Sequence, residues 1–166
     1  MASRPRLRKL VLTAHITTSV GWLGAVACFL ALAVAGLTSQ EPRTVRAAYI
    51  AMEATGWFVL LPLALASLLS GLVQGLGTKW GLFRHYWVVA KLLITVVATA
   101  VLLLYLQTLG YFADIASESD AGVGGLRSPS PMLHAGAALL LLLAAVTLSV
   151  FKPAGLTRYG WRKSRP

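Results

Sequence analysis

Residues 86–113 read YWVVAKLLITVVATAVLLLYLQTLGYFA, and this run decides which solvent the chain folds in. Its single charge is Lys91, and no other appears until Asp114. A helix rising about 1.5 Å per residue over this length outreaches the roughly 30 Å hydrocarbon core of a bilayer. Three further apolar runs, at 10–37, 47–76 and 131–151, also meet the roughly 20-residue requirement for a span. Outside them the longest connection is the 17 residues from Asp114 to Ser130, which leaves no room for a separate soluble domain. The composition agrees: 57% of residues are hydrophobic and 12% charged, against roughly 45–50% and 25% in soluble domains.

The net charge of +10 raises the possibility of nucleic-acid binding, and the placement of the charges argues against it. Four spans put both termini and the 77–85 loop on one side. That side carries eleven Lys and Arg residues, including Arg4, Lys79 and Arg165; the other carries three, Arg43, Arg46 and Arg127, beside acids such as Glu41 and Asp120. This is the positive-inside asymmetry, so the termini are predicted to be cytoplasmic in a plasma-membrane protein facing anionic lipid. The expected architecture is an all-α, integral membrane, antiparallel four-helix bundle forming a single domain over residues 1–166.

The opening MASRPRLRK and the Ala33-Val34-Ala35 triplet resemble a secretory signal, but the apolar run exceeds the usual 7–15 residues of such a signal and reads as a retained first helix. Cys28 is the lone cysteine, which excludes an internal disulfide and a cysteine metal cluster. Ser67, Gly71 and Gly75 recur every fourth residue on one face of the second span, as do Gly21 and Ala25 in the first. Ala137 and Ala138 lie in the fourth, and such small residues let helices approach closely. Pro62 predicts a kink in the second span. The Gly/Ser/Pro-rich loop after Asp114 is expected to be mobile. Trp57, Trp80, Trp87 and Trp161 suit an aromatic belt at the interfaces.

Polar residues within the spans fall into two layers. His15 and Lys91 each lie about five residues into helices entering from the terminal side, and Glu53 and His134 occupy the opposite level, roughly 20 Å away. His15 therefore shares no metal or haem iron with His134. Thr18, Ser19 and Trp22 follow His15 at offsets of one helical face, and Thr95 and Thr99 follow Lys91 in the same way. Two readings stay open. Imidazole and amine converge on a cofactor, with His85 near the same level; or Lys91 snorkels to the interface and His15 is an ordinary hydrogen-bonded polar residue. Glu53 and His134 form either a structural pair or, with His15 as a separate candidate, metal ligands. Phosphate loops, nucleophile elbows and zinc-protease motifs are absent from the sequence.

Four segments together resemble a superfamily of small four-to-five-helix membrane proteins. It includes the HemJ-type protoporphyrinogen oxidases and the copper-resistance D membrane domain, with actinobacterial integral membrane proteins of unassigned function being more similar still. HITTSVGWLG at 15–24 looks like the family's first helix, and Met52-Glu53 with Pro62 and Gly71 like its second. YWVVAKLL at 86–93 is similar to its Trp-x-x-x-Lys-Leu segment, and SVFKPAG at 149–155 to its Lys-Pro ending. The resemblance implies a haem b site with His15 on the ligand position and Lys91 as the functional lysine. Lys91 is then expected as second ligand or as partner of a haem propionate, His85 as the reserve second ligand, and Trp22 and Thr95 as neighbours on the same helix faces. It also implies a porphyrin or quinone partner and activity in electron transfer or as an oxidoreductase. Ala54 and Thr55 stand where HemJ-type proteins carry arginines, so the scaffold carries over without the substrate. Two other classes are a metal-handling or transport protein using Glu53 and His134, and a non-catalytic subunit that binds a membrane partner or a second copy.

Overall fold

The computed structural model describes residues 5–77, 81–118 and 122–164. Arg4, Lys79, Trp80, Asp120 and Arg165 lie outside them. Helix α1 runs Pro5–Thr38, 34 residues, and starts five residues before the expected boundary. Proline opens it at no cost because the first N–H groups of a helix have no partner in any case. The second span is built from α2 (Pro42–Thr55), a π-helical turn (Gly56–Leu60) and α3 (Leu61–Gly77). Glu41 caps α2 by accepting from the Arg43 N–H. Then come α4 (Tyr86–Ser117) and α5 (Ser130–Phe151), with a short α6 (Arg158–Ser164) that the sequence reading did not anticipate. Four helical segments, Pro5–Thr38, Pro42–Gly77, Tyr86–Ser117 and Val123–Phe151, are long and apolar enough to cross a membrane.

Pro62 has a structural consequence one turn upstream of itself. Its missing N–H removes an intrahelical bond and its ring crowds the preceding turn. The backbone widens there, and Leu61 N–H bonds to the Gly56 carbonyl five residues back. Such π turns are rare and redirect the side chains that follow. Gly56 also lies against α4: a Cβ there would stand 2.9 Å from Leu106 Cδ2 and 3.2 Å from Leu109 Cδ1.

Helix α1 packs along α2, α3 and α5, while α4 closes the other side against α2, α3 and α5. The packing is uneven along the bundle. At the end bearing the 39–41 and 122–129 connections, Val45, Tyr49, Met52, Leu106, Leu109 and Leu126 are all at most 1% exposed. Toward the end bearing the termini, the buried side chains include the hydroxyls of Ser67 and Thr99.

The described part of the long loop is tied down rather than loose. Leu126, in a 3₁₀ turn over Val123–Leu126, is 1% exposed. Arg127 donates to the Ser39 carbonyl, Ser128 N–H donates to Tyr49 Oη, and Arg46 donates to the carbonyls of Ala116 and Glu118 at the end of α4. Burying one leucine and capping two helix ends holds a segment that composition alone marked as mobile.

At the opposite end, Lys152 ends α5 in the left-handed region (φ 43°), a conformation that commonly terminates helices. The chain then turns back onto the α3–α4 loop. Tyr86 N–H donates to the Gly155 carbonyl, Thr157 N–H to the Arg84 carbonyl, and His85 forms an isolated antiparallel bridge with Leu156. Gly160 is buried, and a Cβ there would overlap the Arg84 carbonyl. Gly160→Ala is therefore expected to lift α6 off this loop, at a cost of about 1–3 kcal/mol. Limited proteolysis in detergent checks this: the C-terminal segment is cut early while the four long helices stay protected.

Candidate functional site

Glycine at two helical turns of α3 opens space in the bundle. Gly71 and Gly75 lie on the face turned toward α1 and the α3–α4 loop, and the volume they omit is partly filled from neighbouring segments. His15 enters from α1: a Cβ on Gly71 would stand 3.1 Å from its Cε1. Leu82 occupies the position beside Gly75. What remains is a cavity of about 150 Å³ bordered by His15, Ser67, Gln74, Trp87, Lys91 and Thr95, among others.

The tautomer of His15 follows from its partners. Nδ1 lies 3.2 Å from the Ser67 carbonyl and 3.1 Å from Ser70 Oγ. A carbonyl only accepts, and the Ser70 hydroxyl already donates to the Ala66 carbonyl at 2.6 Å. Nδ1 therefore carries the proton, and the neutral ring keeps its lone pair on Nε2, which makes no hydrogen bond among the described residues. A backbone carbonyl holding one ring nitrogen while the other stays open is the arrangement that orients a ligating imidazole. Ser19 and Ser67 hydroxyls meet at 2.7 Å, and Gln74 Nε2 donates to the Val11 carbonyl at 3.4 Å, so a polar seam joins α1 to α3.

Lys91 is half-buried on the α4 side of the cavity, with Nζ 5.7 Å from the centroid of the Trp87 ring. That is cation–π range. Among the described residues no carboxylate borders the cavity. Trp87, expected in an interfacial belt, is 9% exposed and turned inward beneath the amine. Thr95 and Thr99 donate to the carbonyls of Lys91 and Thr95 in their own helix, leaving their oxygens only as acceptors.

The other sequence candidates fall elsewhere. His85 precedes α4 at the surface bridge to Leu156 and does not border the cavity. Trp22, 3% exposed, lines a second cleft together with His134. His134 is bonded to Ser130 within its own helix and stacks on Tyr105, with ring centroids 4.1 Å apart. Glu53 faces α4, its Oε1 3.7 Å from where a Cβ on Gly110 would stand. Among the described residues no three His, Cys, Asp or Glu side chains come together as a metal site. Tyr105 and Ser70 were missed by the sequence reading. Only the rarity of an uncharged polar side chain deep in a span could have pointed to them.

The donor chemistry around His15 suits a haem iron, but the space is small. A cavity of about 150 Å³ matches the size that admits one benzene ring, so a porphyrin of four pyrroles would extend beyond its walls. No family model, curated protein or solved structure matches the chain.

The seat of His15 can be tested directly. Gly71→Val places branched carbon against the imidazole, and is expected to break the Nδ1–H bond to Ser67 and to cost about 1–3 kcal/mol. Histidine-selective ¹⁵N NMR in detergent reads the loss of the Nδ1-protonated tautomer, and thermal unfolding reads the stability.

Proposed function

We propose that this is a b-type haem-binding integral membrane protein acting in electron transfer or as a membrane oxidoreductase. It is read as an antiparallel four-helix bundle in the plasma membrane with cytoplasmic termini, and the eleven-to-three distribution of basic residues supports that sidedness. One observation carries the functional reading: His15 gives its Nδ1 proton to the Ser67 carbonyl while the ring borders a cavity shared with Lys91. The resemblance of the 15–24 and 86–93 segments to the HemJ-type superfamily adds the identity of the group.

His15 would hold the group through Nε2, with the ring fixed by Ser67 and Ser70. Lys91, an amine with no carboxylate at the cavity among the described residues, would pair with an acidic substituent such as a propionate. Trp87 stands beneath the Lys91 amine. When bound, the haem supplies a one-electron couple.

The absorbance spectrum of protein purified in mild detergent, after expression with ample haem, tests this reading. A Soret band and a dithionite-induced change are expected. His15→Ala should abolish them and Lys91→Gln should weaken haem retention, whereas His134→Ala should leave both spectra unchanged. Absence of a Soret band in the unaltered protein overturns the proposal.

A further inference from the structure

A second cavity lies between α4 and α5 with α1 as its floor, and it shares no lining residue with the first. Its volume is about 190 Å³. The floor is deeply buried, with Trp22 at 3% and Phe29 at 4% exposure, and Leu109 of α4 beside it at 1%. The rim is open, with Val97 at 52% and Val101 at 43%. Both rim residues lie within a membrane-spanning helix, so the opening faces lipid. Alanines 98, 135, 137 and 138 account for the gap, because larger side chains at those positions would close it.

His134, exposed near the start of α5, and Tyr105 bring polar atoms to the lining of this cavity. His134 Nδ1 lies 2.9 Å from the Ser130 carbonyl, so Nδ1 carries the proton and the neutral ring has an accepting Nε2. Among the described residues nothing donates to Nε2. The ring lies nearly parallel to Tyr105, at 19°, and Tyr105 Oη meets Ser130 Oγ at 3.0 Å, so histidine and tyrosine are held by the same serine.

We propose that this cavity binds the ring of a lipid-soluble aromatic alcohol, whose hydroxyl donates to Nε2 of His134. Each property of the ligand follows from one of the cavity. Entry through a lipid-facing rim requires a molecule that partitions into hydrocarbon. A volume slightly above that of a benzene-binding cavity takes one substituted ring. The stacked Tyr105–His134 pair, with Trp22 and Phe29 below, favours an aromatic face. The acceptor calls for a hydroxyl. A lipid acyl chain would fill the space and leave that acceptor unmet.

The chain has three histidines, so ¹⁵N-histidine NMR of the intact protein in nanodiscs resolves the question. The probe is 4-hexylphenol, and the control is 4-hexylanisole, which keeps the ring and tail but has no donor. The resonance of His134 Nε2, assigned by its disappearance in His134→Gln, is expected to shift saturably with the phenol and to stay in place with the ether. The His15 and His85 resonances should not move. Three results would overturn the proposal: no shift with the phenol, equal shifts with phenol and ether, or parallel shifts of all three histidines from nonspecific partitioning. None depends on haem, so failure of the inner-site reading leaves this test intact.

Discussion

A chain in hydrocarbon has no water to complete its hydrogen bonds, and the rest of the structure answers to that constraint. Most hydroxyls in the spans meet it locally. Thr18, Thr95, Thr99, Thr147 and Ser149 each donate to the carbonyl four residues back, which satisfies the proton without tying one helix to another. The bonds that do cross between helices include Tyr105 to Ser130, joining α4 to α5, and Arg46 to the Ala116 carbonyl, joining α2 to α4. His15 to Ser67 and Ser70, Ser19 to Ser67 and Gln74 to Val11 all join α1 to α3. A polar seam at one helix pair sets the azimuth of α1, and with it which side chains face the inner cavity.

Side-chain volume then divides the bundle. Near the 39–41 connection, Tyr49, Met52, Leu106 and Leu109 interdigitate with almost no exposure, as close packing of large side chains allows. Toward the termini, Ser67, Gly71 and Gly75 replace that bulk with small residues, and a cavity follows. Gly71 serves less to bring two backbones together than to seat an imidazole. The π turn before Pro62 lies between the two halves, at the point where the second span passes from the packed region to the hollow one.

Much of this was legible in the sequence. Apolar length alone placed the four spans, because the thickness of the bilayer imposes it, and the boundaries moved only where charged or small residues prolonged a helix past the hydrocarbon. Counting residues from each span's start put His15 level with Lys91, and the structure has both bordering one cavity. Other readings depended on partners that spacing does not reveal. Trp87 had the position of an interfacial anchor and turned inward, while Trp22 followed His15 at helical spacing yet belongs to a different cavity. His134 had a carboxylate at its own level and took a serine carbonyl and a tyrosine face. The 122–129 segment had the composition of a mobile loop and was held by Leu126, Tyr49 and Arg127.

The sequence by itself determined the solvent, the number of spans and the depth of each polar residue, because hydrophobic length and helical rise are one-dimensional quantities. Tertiary structure alone decided which residues at a given depth face one another. Azimuth depends on how small and large side chains from different helices fit together, and no single helix carries that information. Lys91 shows the division: its depth was legible in the run 86–113, but the tryptophan beneath it and the histidine bordering the same cavity came only from the packing of α1, α3 and α4.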